Sequence, residues 1–307
     1  MSWIKQSRIW EPDGSQWWAQ THATCPTPLL LPNGDLRIYL QCRDSKGIGR
    51  AGFIDVDAND PSRVLATSEH PCLDIGLPGT FDENGVLPTS VVALADGRVL
   101  MYYVGFELCI GIRYRLLTGL AISTDGGNHF TRVHQTPVLE RSDEELFFRC
   151  AAFVLQDQQR FRMWYSGGGD WTTVNNKPMP CYDLRHLEST DGFNWPATGQ
   201  IVLPVTDDDE HGFGRPWVVK TEAGYQLFFS VRKRSLGQYR LAYAESPDGI
   251  HWTRADDKLG LDVSPGQWDG DAIMYSAVIQ SGGQIWLFYN GNNFGEHGIG
   301  FAQWKAD

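Results

Sequence analysis

Met101-Tyr102-Tyr103 closes a short apolar run, and the chain makes the same step four more times: Ile38-Tyr39-Leu40, Met163-Trp164-Tyr165, Leu227-Phe228-Phe229 and Trp286-Leu287-Phe288-Tyr289. Counted between Leu40, Tyr103, Tyr165, Phe229 and Tyr289, the intervals are 63, 62, 64 and 60 residues. A near-constant period of this length marks one supersecondary unit copied along the chain, because such a unit cannot bury its apolar face alone and must stack on its neighbours.

Within each period a strand and a tight turn precede the aromatic strand. The turns are Pro32-Asn33-Gly34-Asp35, Ala95-Asp96-Gly97, Gln156-Asp157-Gln158, Glu222-Ala223-Gly224 and Ser281-Gly282-Gly283. Asn-Gly, Asp-Gly and Gly-Gly supply the positive φ angles that two-residue hairpins need, so the pairs are antiparallel. A third strand then runs into a second turn, Ser123-Thr124-Asp125-Gly126 with Phe130, Ser189-Thr190-Asp191-Gly192 with Trp195, and Ser246-Pro247-Asp248-Gly249 with Trp252. There Asp bonds the turn backbone, Gly takes the strained dihedral, and the aromatic is expected to pack back on its own blade. Radially arranged four-stranded sheets protect their edges, and no stretch has a convincing helix period. The sequence therefore predicts an all-β chain, a single five-bladed β-propeller over 1–307 with four-stranded antiparallel blades. The blades are placed at about 22–60, 84–133, 146–198, 211–254 and 270–304, with the N-terminal segment completing the last one.

Composition narrows the function. Hydrophobic residues are 42% and charged residues 21% of the chain, which is ordinary for a globular protein with a large core. A formal net charge of −11 and the lack of a basic run argue against a nucleic-acid partner. No stretch is long and apolar enough to cross a bilayer, and Met1-Ser2-Trp3-Ile4-Lys5-Gln6 lacks a secretory pattern, so cytoplasm is the expected location. Cys25, Cys42, Cys72, Cys109, Cys150 and Cys181 include no C-x-x-C pair. They read as reduced thiols, with Cys25 and Cys150 near the rim of a site.

In a propeller the first strand of each blade lines the central channel, and ligands bind where those strands begin. Aligning first strands on Pro28, Ser90, Ala152, Pro216 and Ser276 and stepping back seven residues gives Thr21, Glu83, Glu145, Asp209 and Asp269. Six back gives His22, Asn84, Leu146, Glu210 and Gly270; five back gives Ala23, Gly85, Phe147, His211 and Asp271. Acids recur at one rim, joined by Asp82 and Glu144, with Arg149 and Arg215 slightly deeper. Grouped carboxylates raise one another's pKa, as a general acid requires, and arginines bind hydroxyls, carboxylates or phosphates. Singly, each such acid is most simply a solvated loop charge. Trp171, Trp217, Trp268 and Tyr275 are candidates to stack on a sugar ring, against the alternative of blade packing.

These residues resemble the five-bladed glycosidase superfamily that includes families 32, 43, 62, 68, 117 and 130, and most of all a bacterial group labelled glycosyl hydrolase family 32-like. The likeness is carried by His22-Ala23-x-x-Pro26, by Gly79-Thr80-Phe81-Asp82-Glu83-Asn84-Gly85 with Pro88-x-Ser90, by Arg215-Pro216 and Trp268-Asp269, and by Tyr289-Asn290-Gly291-Asn292 with Phe294-Gly295. It implies a carbohydrate-active enzyme working on a glycosidic or glycosyl-phosphate bond, with a small-molecule carbohydrate or sugar nucleotide as partner. Inverting members of family 43 use an Asp base in blade one, a tuning Asp in blade two and an acid Glu in blade three. Asp82 or Glu83 matches the second and Glu144 or Glu145 the third. Blade one offers His22, Ala23, Thr24 and Cys25 where Asp is expected, so the carboxyl pair that hydrolysis needs is incomplete. The expected proton donor is thus Glu144 or Glu145, tuned by Asp82 and Glu83, with Asp269 as a candidate base. His22, Arg149, Glu210, His211, Arg215, Asp271, Trp171 and Trp268 are expected to hold substrate. No metal and no cofactor are expected. The alternatives are a catalytically silent sugar-binding propeller and a protein-interaction platform.

Overall fold

A computed structural model describes residues 2–305. The first strand, β1 (Ser2–Trp10), stands apart in the sequence from four strands that pair in order: β2 (Thr21–Leu30), β3 (Leu36–Arg43), β4 (Gly49–Val56) and β5 (Val64–Thr67). The next group is β6 (Val86–Ala93), β7 (Val99–Leu108), β8 (Tyr114–Ser123) and β9 (Thr131–Arg132). It is followed by β10 (Phe148–Asp157), β11 (Arg160–Val174), β12 (Lys177–Ser189) and β13 (Gln200–Leu203). Then come β14 (Glu210–Thr221), β15 (Gly224–Lys233), β16 (Gln238–Ser246) and β17 (Thr253–Arg254). The last strands, β18 (Met274–Ser281), β19 (Gln284–Asn290) and β20 (Ile299–Lys305), pair in order, and β1 adds to β20 as the fourth strand of that sheet. Among the described residues the departures from strand and loop are a 3-10 turn over Asp256–Lys258 and a tight turn over Asn292–Gly295 with left-handed Asn293 and Phe294 inside it.

All pairings within a group are antiparallel, while short parallel contacts join β8 to β10 and β12 to β14. The apolar residues of each sheet are buried against the adjacent sheet. Tyr39, Ala51 and Phe53 pack with Met101, Tyr103 and Phe130; Leu100 and Tyr102 pack with Val154, Met163 and Leu187. The last sheet returns to the first through Trp286, Phe288 and Phe301 against Leu36, Ile38 and Ile54. The groups therefore close on themselves, with the first strand of each in contact with the first strand of the next around a centre.

The aromatic steps supply the joints of this closure. Tyr39 Oη donates to Gly127 O, Tyr102 Oη to Gly192 O and Trp164 Nε1 to Gly249 O, each reaching the Asp-Gly turn of the following group. The turn aromatic packs with its own group, as the sequence led us to expect, and also reaches the group before it. Phe130 stands edge-on to Tyr39 at 5.6 Å and Trp195 to Tyr102 at 6.1 Å, both belonging to the preceding group. Asp125 and Asp191 each collect several backbone and side-chain donors, which hold both carboxyls down to about 2.

Candidate functional site: a carboxylate-free funnel

In every first strand the antiparallel register slips at the same place: between Thr24 and Thr27, Pro88 and Ser90, Cys150 and Phe153, Gly214 and Trp217, and Met274 and Ala277. A β-bulge there bends the strand and re-aims one residue. Cys25, Ala151, Arg215 and Tyr275 take positive φ at these bulges, a conformation costly for side chains with a Cβ and typical of ligand-facing backbone. All four, with Thr89 from the second group, line one central cavity of about 220 Å³. An outer chamber of about 310 Å³ shares Arg113, Tyr114, Arg232, Tyr239 and Phe294 with it and adds Lys177 and His211.

Neither chamber is lined by a single aspartate or glutamate among the described residues; the charged groups are Arg43, Arg113, Arg215, Arg232 and Lys177. Everywhere else in this acidic chain, Arg234 apart, each arginine is ion-paired to a carboxylate. The funnel thus reverses the sign of the protein around it. Arg215, 1% exposed, turns its guanidinium on the carbonyls of Pro26, Tyr275 and Ser276 and on Thr27 Oγ1, tying the first, fourth and last groups together. Arg232, also buried, donates through Nε to Tyr239 Oη, which sits 2.8 Å from Tyr182 Oη. Burial pushes Tyr182 and Tyr275 well above the ordinary phenol range, and the Cys150 thiol up to about 12. These groups remain protonated at neutral pH. Cys25 is raised by burial as well, which disfavours the thiolate at both funnel cysteines.

The acids that the period picked out lie elsewhere. Asp82 is fully buried, accepting from Tyr103 Oη at 2.9 Å and Arg132 Nε at 2.7 Å. Glu145 is fully buried between Tyr165 Oη at 2.6 Å, Arg149 Nε at 3.1 Å and Arg185 Nε at 3.7 Å. Asp269 holds Lys5 and accepts from Tyr289 Oη at 3.1 Å. Glu210 is gripped by both terminal nitrogens of Arg254, at 2.7 and 3.0 Å; the residue that closes its aromatic step is Phe229, which has no hydroxyl. The equivalent acids are therefore Asp82, Glu145, Glu210 and Asp269, one residue off the register read from the sequence at the second and fourth groups. Each closes a clasp of carboxylate and cation, and in three of them the tyrosine of the aromatic step completes it.

The remaining candidates scatter. Glu83 caps Gly79 N at 2.7 Å, and Glu144 lines a separate cleft with Asp143 and Asp183. Asp271 bonds Asn292 on the surface. Trp268 stacks on Tyr289 at 5.5 Å, with its ring so close over Gly291 and Gly300 that a Cβ on either would lie within 2.7 Å of it; it packs backbone rather than facing the funnel. Trp171 stands behind Tyr114 and Phe148. His22 bonds Thr21 Oγ1 at 2.9 Å, and desolvation with nearby Arg43 lowers it to about 4, so it is neutral at physiological pH. Of the residues singled out from the sequence, Arg215, His211 and Tyr275 line the chambers, with the rim thiols Cys25 and Cys150; His211 is fixed by Nδ1 on Pro180 O. Sequence reasoning missed Arg43, Arg113, Arg232, Tyr182 and Tyr239. Two of these were accessible to the same ruler: three residues past Leu40 and Phe229 stand Arg43 and Arg232.

No protein-family model matches the chain. The uncharacterized protein Rv1502 of Mycobacterium tuberculosis (strain ATCC 25618 / H37Rv) is 32% identical over 302 residues, 98% of this chain and 99% of that protein. The chain belongs to the Rv1502 family. A 1,2-β-oligomannan phosphorylase of Thermoanaerobacter sp. (strain X514) is 26% identical over 115 residues, covering 36% of this chain and 38% of that protein. A glycosyl hydrolase structure from Bacteroides ovatus superposes with a TM-score of 0.75 at 13% identity, over 99% of this chain and 94% of that one. A structure from the GH130 family of mannoside phosphorylases, which contains glycoside hydrolases that target β-1,2 mannosidic linkages in Candida mannan, gives 0.72 at 13% identity over 99% and 94%. The fold is that of the propeller glycosidase superfamily, as the sequence resemblance implied.

Proposed function

We propose that this protein is a five-bladed propeller that takes a carbohydrate in its central funnel and acts at a glycosyl-phosphate bond. One observation carries the reading: a cavity lined by guanidiniums and protonated phenols, with no carboxylate, inside a chain of net charge −11. Cleaving an ordinary glycoside expels an alkoxide, which must be protonated by a carboxylic acid, with a second carboxylate handling the water or the sugar. A phosphate leaves as a stable anion, with a second pKa of about 6 in its esters, and needs no proton donor. What the step needs is an acceptor hydroxyl, of water or a second sugar, that bonds C1 and gives its proton to the departing phosphate, together with compensation of charge as the C1–O bond breaks; preorganised guanidinium and hydroxyl donors in a water-poor cavity provide that compensation. In this reading Asp82, Glu145, Glu210 and Asp269 hold the blade walls rather than the substrate. The partial likeness to an oligomannan phosphorylase supports the same bond class.

A panel of aryl glycosides, oligosaccharides and hexose 1-phosphates, each assayed with and without inorganic phosphate, tests the proposal. Turnover confined to glycosyl phosphates is expected, with glycosides left intact whether or not phosphate is present. Hydrolysis of a neutral glycoside without phosphate at a comparable rate would refute it. A second reading, a sugar-binding propeller without turnover, is favoured by the same lining, because no group in it is free to activate water. Calorimetric binding of a hexose 1-phosphate with no product on long incubation selects it.

A further inference from the structure

Arg232 is the least expected residue in the chain. It is nine-tenths buried, no carboxylate lies within ion-pairing distance, and Tyr239 Oη is its only hydrogen-bonded partner among the described residues. Burying a cation without a counter-charge is expensive, and proteins avoid it unless a ligand supplies the anion. Arg232 lines both chambers, as does Arg113, which among the described residues bonds Pro178 O and the Met179 sulfur. Arg43, with no side-chain partner among the described residues, lines the inner chamber alone. Positive charge is thus concentrated where the two chambers meet. Phe294 stands at the same junction, edge-on to Tyr239 at 6.2 Å and held by two consecutive left-handed residues, Asn293 and Phe294 itself.

We propose that the ligand is a glycosyl diphosphate ester spanning both chambers: the sugar in the inner one, the diphosphate on Arg232 and Arg113, and the second esterified group in the outer one beside Phe294 and Tyr114. This rests on the glycosyl-phosphate reading above and sharpens it, because a simple hexose 1-phosphate would leave the outer chamber and its Lys177 unused. A planar guanidinium grips phosphate oxygens pairwise, which suits a linker carrying charge on two phosphorus centres. The outer group is a nucleoside or a prenyl chain, and the aromatic edges at the junction accept either.

Isothermal titration calorimetry would compare GDP-mannose, UDP-glucose, a short-chain prenyl diphosphate mannose, mannose 1-phosphate, GDP, inorganic phosphate and mannose. A diphosphate sugar is expected to bind about tenfold or more tightly than mannose 1-phosphate, and the nucleotide and prenyl probes decide the outer group. Arg232→Met should weaken every phosphorylated ligand by about tenfold to a hundredfold, the usual loss for a charged hydrogen bond. Its melting temperature should hold or rise, because an unpaired buried charge has been removed; an arginine kept for structure would lower it instead. Arg113→Gln, at an exposed position, should weaken the diphosphate sugar more than mannose 1-phosphate. Equal affinity for the two ligands would overturn the two-chamber assignment and leave the glycosyl-phosphate reading standing. Binding of neutral mannose with indifference to every phosphorylated probe would sink both.

Discussion

Replacing Glu145 by Gln separates a wall clasp from a catalytic acid. The carboxylate is fully buried, and Arg149, itself 2% exposed, has no other acidic partner among the described residues. Gln keeps the size and an acceptor for Tyr165 Oη but removes the charge. Arg185 retains Asp183 at 2.8 Å, so the uncompensated cation is Arg149 alone. Breaking a buried ion pair by neutralising one member costs about 3–5 kcal/mol, because the partner stays buried and unpaired. Arg149 also donates to Glu140 O and Pro196 O, which absorb part of its charge, so the lower end, about 3 kcal/mol, applies. For a chain of this length that lowers the melting temperature by roughly 5 °C. Scanning calorimetry of Glu145→Gln measures it, and the double variant Glu145→Gln/Arg149→Met should regain much of the loss because the orphaned charge is gone. Ligand affinity in the funnel should stay within about twofold, as for independent sites. A variant as stable as the parent but without turnover would refute this reasoning and restore Glu145 as the proton donor.

Asp269→Asn removes the anchor of Lys5, and amide exchange should accelerate within β1 and its partner β20 while the other sheets keep their protection, as mass spectrometry would show. His186 is buried beside Trp164 at 5.1 Å with an unpartnered Nε2, and desolvation lowers it to about 4. Its folded pKa lies below the unfolded 6.5, so the unfolded chain takes the proton first and stability is lost as pH falls from about 6.5 to 4. The loss is roughly 3 kcal/mol from this group, and His186→Phe should flatten the melting profile across that window. In the native protein Cys109 and Cys181 should react first with a thiol reagent, and Cys25, Cys42, Cys72 and Cys150 only on unfolding, because the latter are buried; early labelling of Cys25 or Cys150 would show that the funnel opens more than described.

Much of the architecture was legible because its signals are local. Asn-Gly and Asp-Gly turns fix hairpins by backbone conformation alone, and the aromatic steps recur because each repeat needs the same apolar face. The partner of each aromatic was not legible, since Tyr39 and Tyr102 bond turns about ninety residues downstream. The acids show the same limit. Their period was real, but a residue that recurs in four of five copies is most simply one those copies need for their own packing, and all four close a clasp. A ligand site is made where copies differ, and Arg43, Arg113 and Arg232 have no counterpart in most repeats.

The sequence by itself determined the repeat, its antiparallel hairpins and the missing acid of the first unit, all of which follow from short-range stereochemistry and from counting. Only the tertiary structure decided which charges are spent. An arginine and a glutamate look alike in a sequence whether they neutralise each other or stand free. Closure of the groups pairs nearly every one of them in the walls and leaves the unpaired guanidiniums together in the funnel, because burial makes pairing compulsory everywhere except where a ligand can take the partner's place.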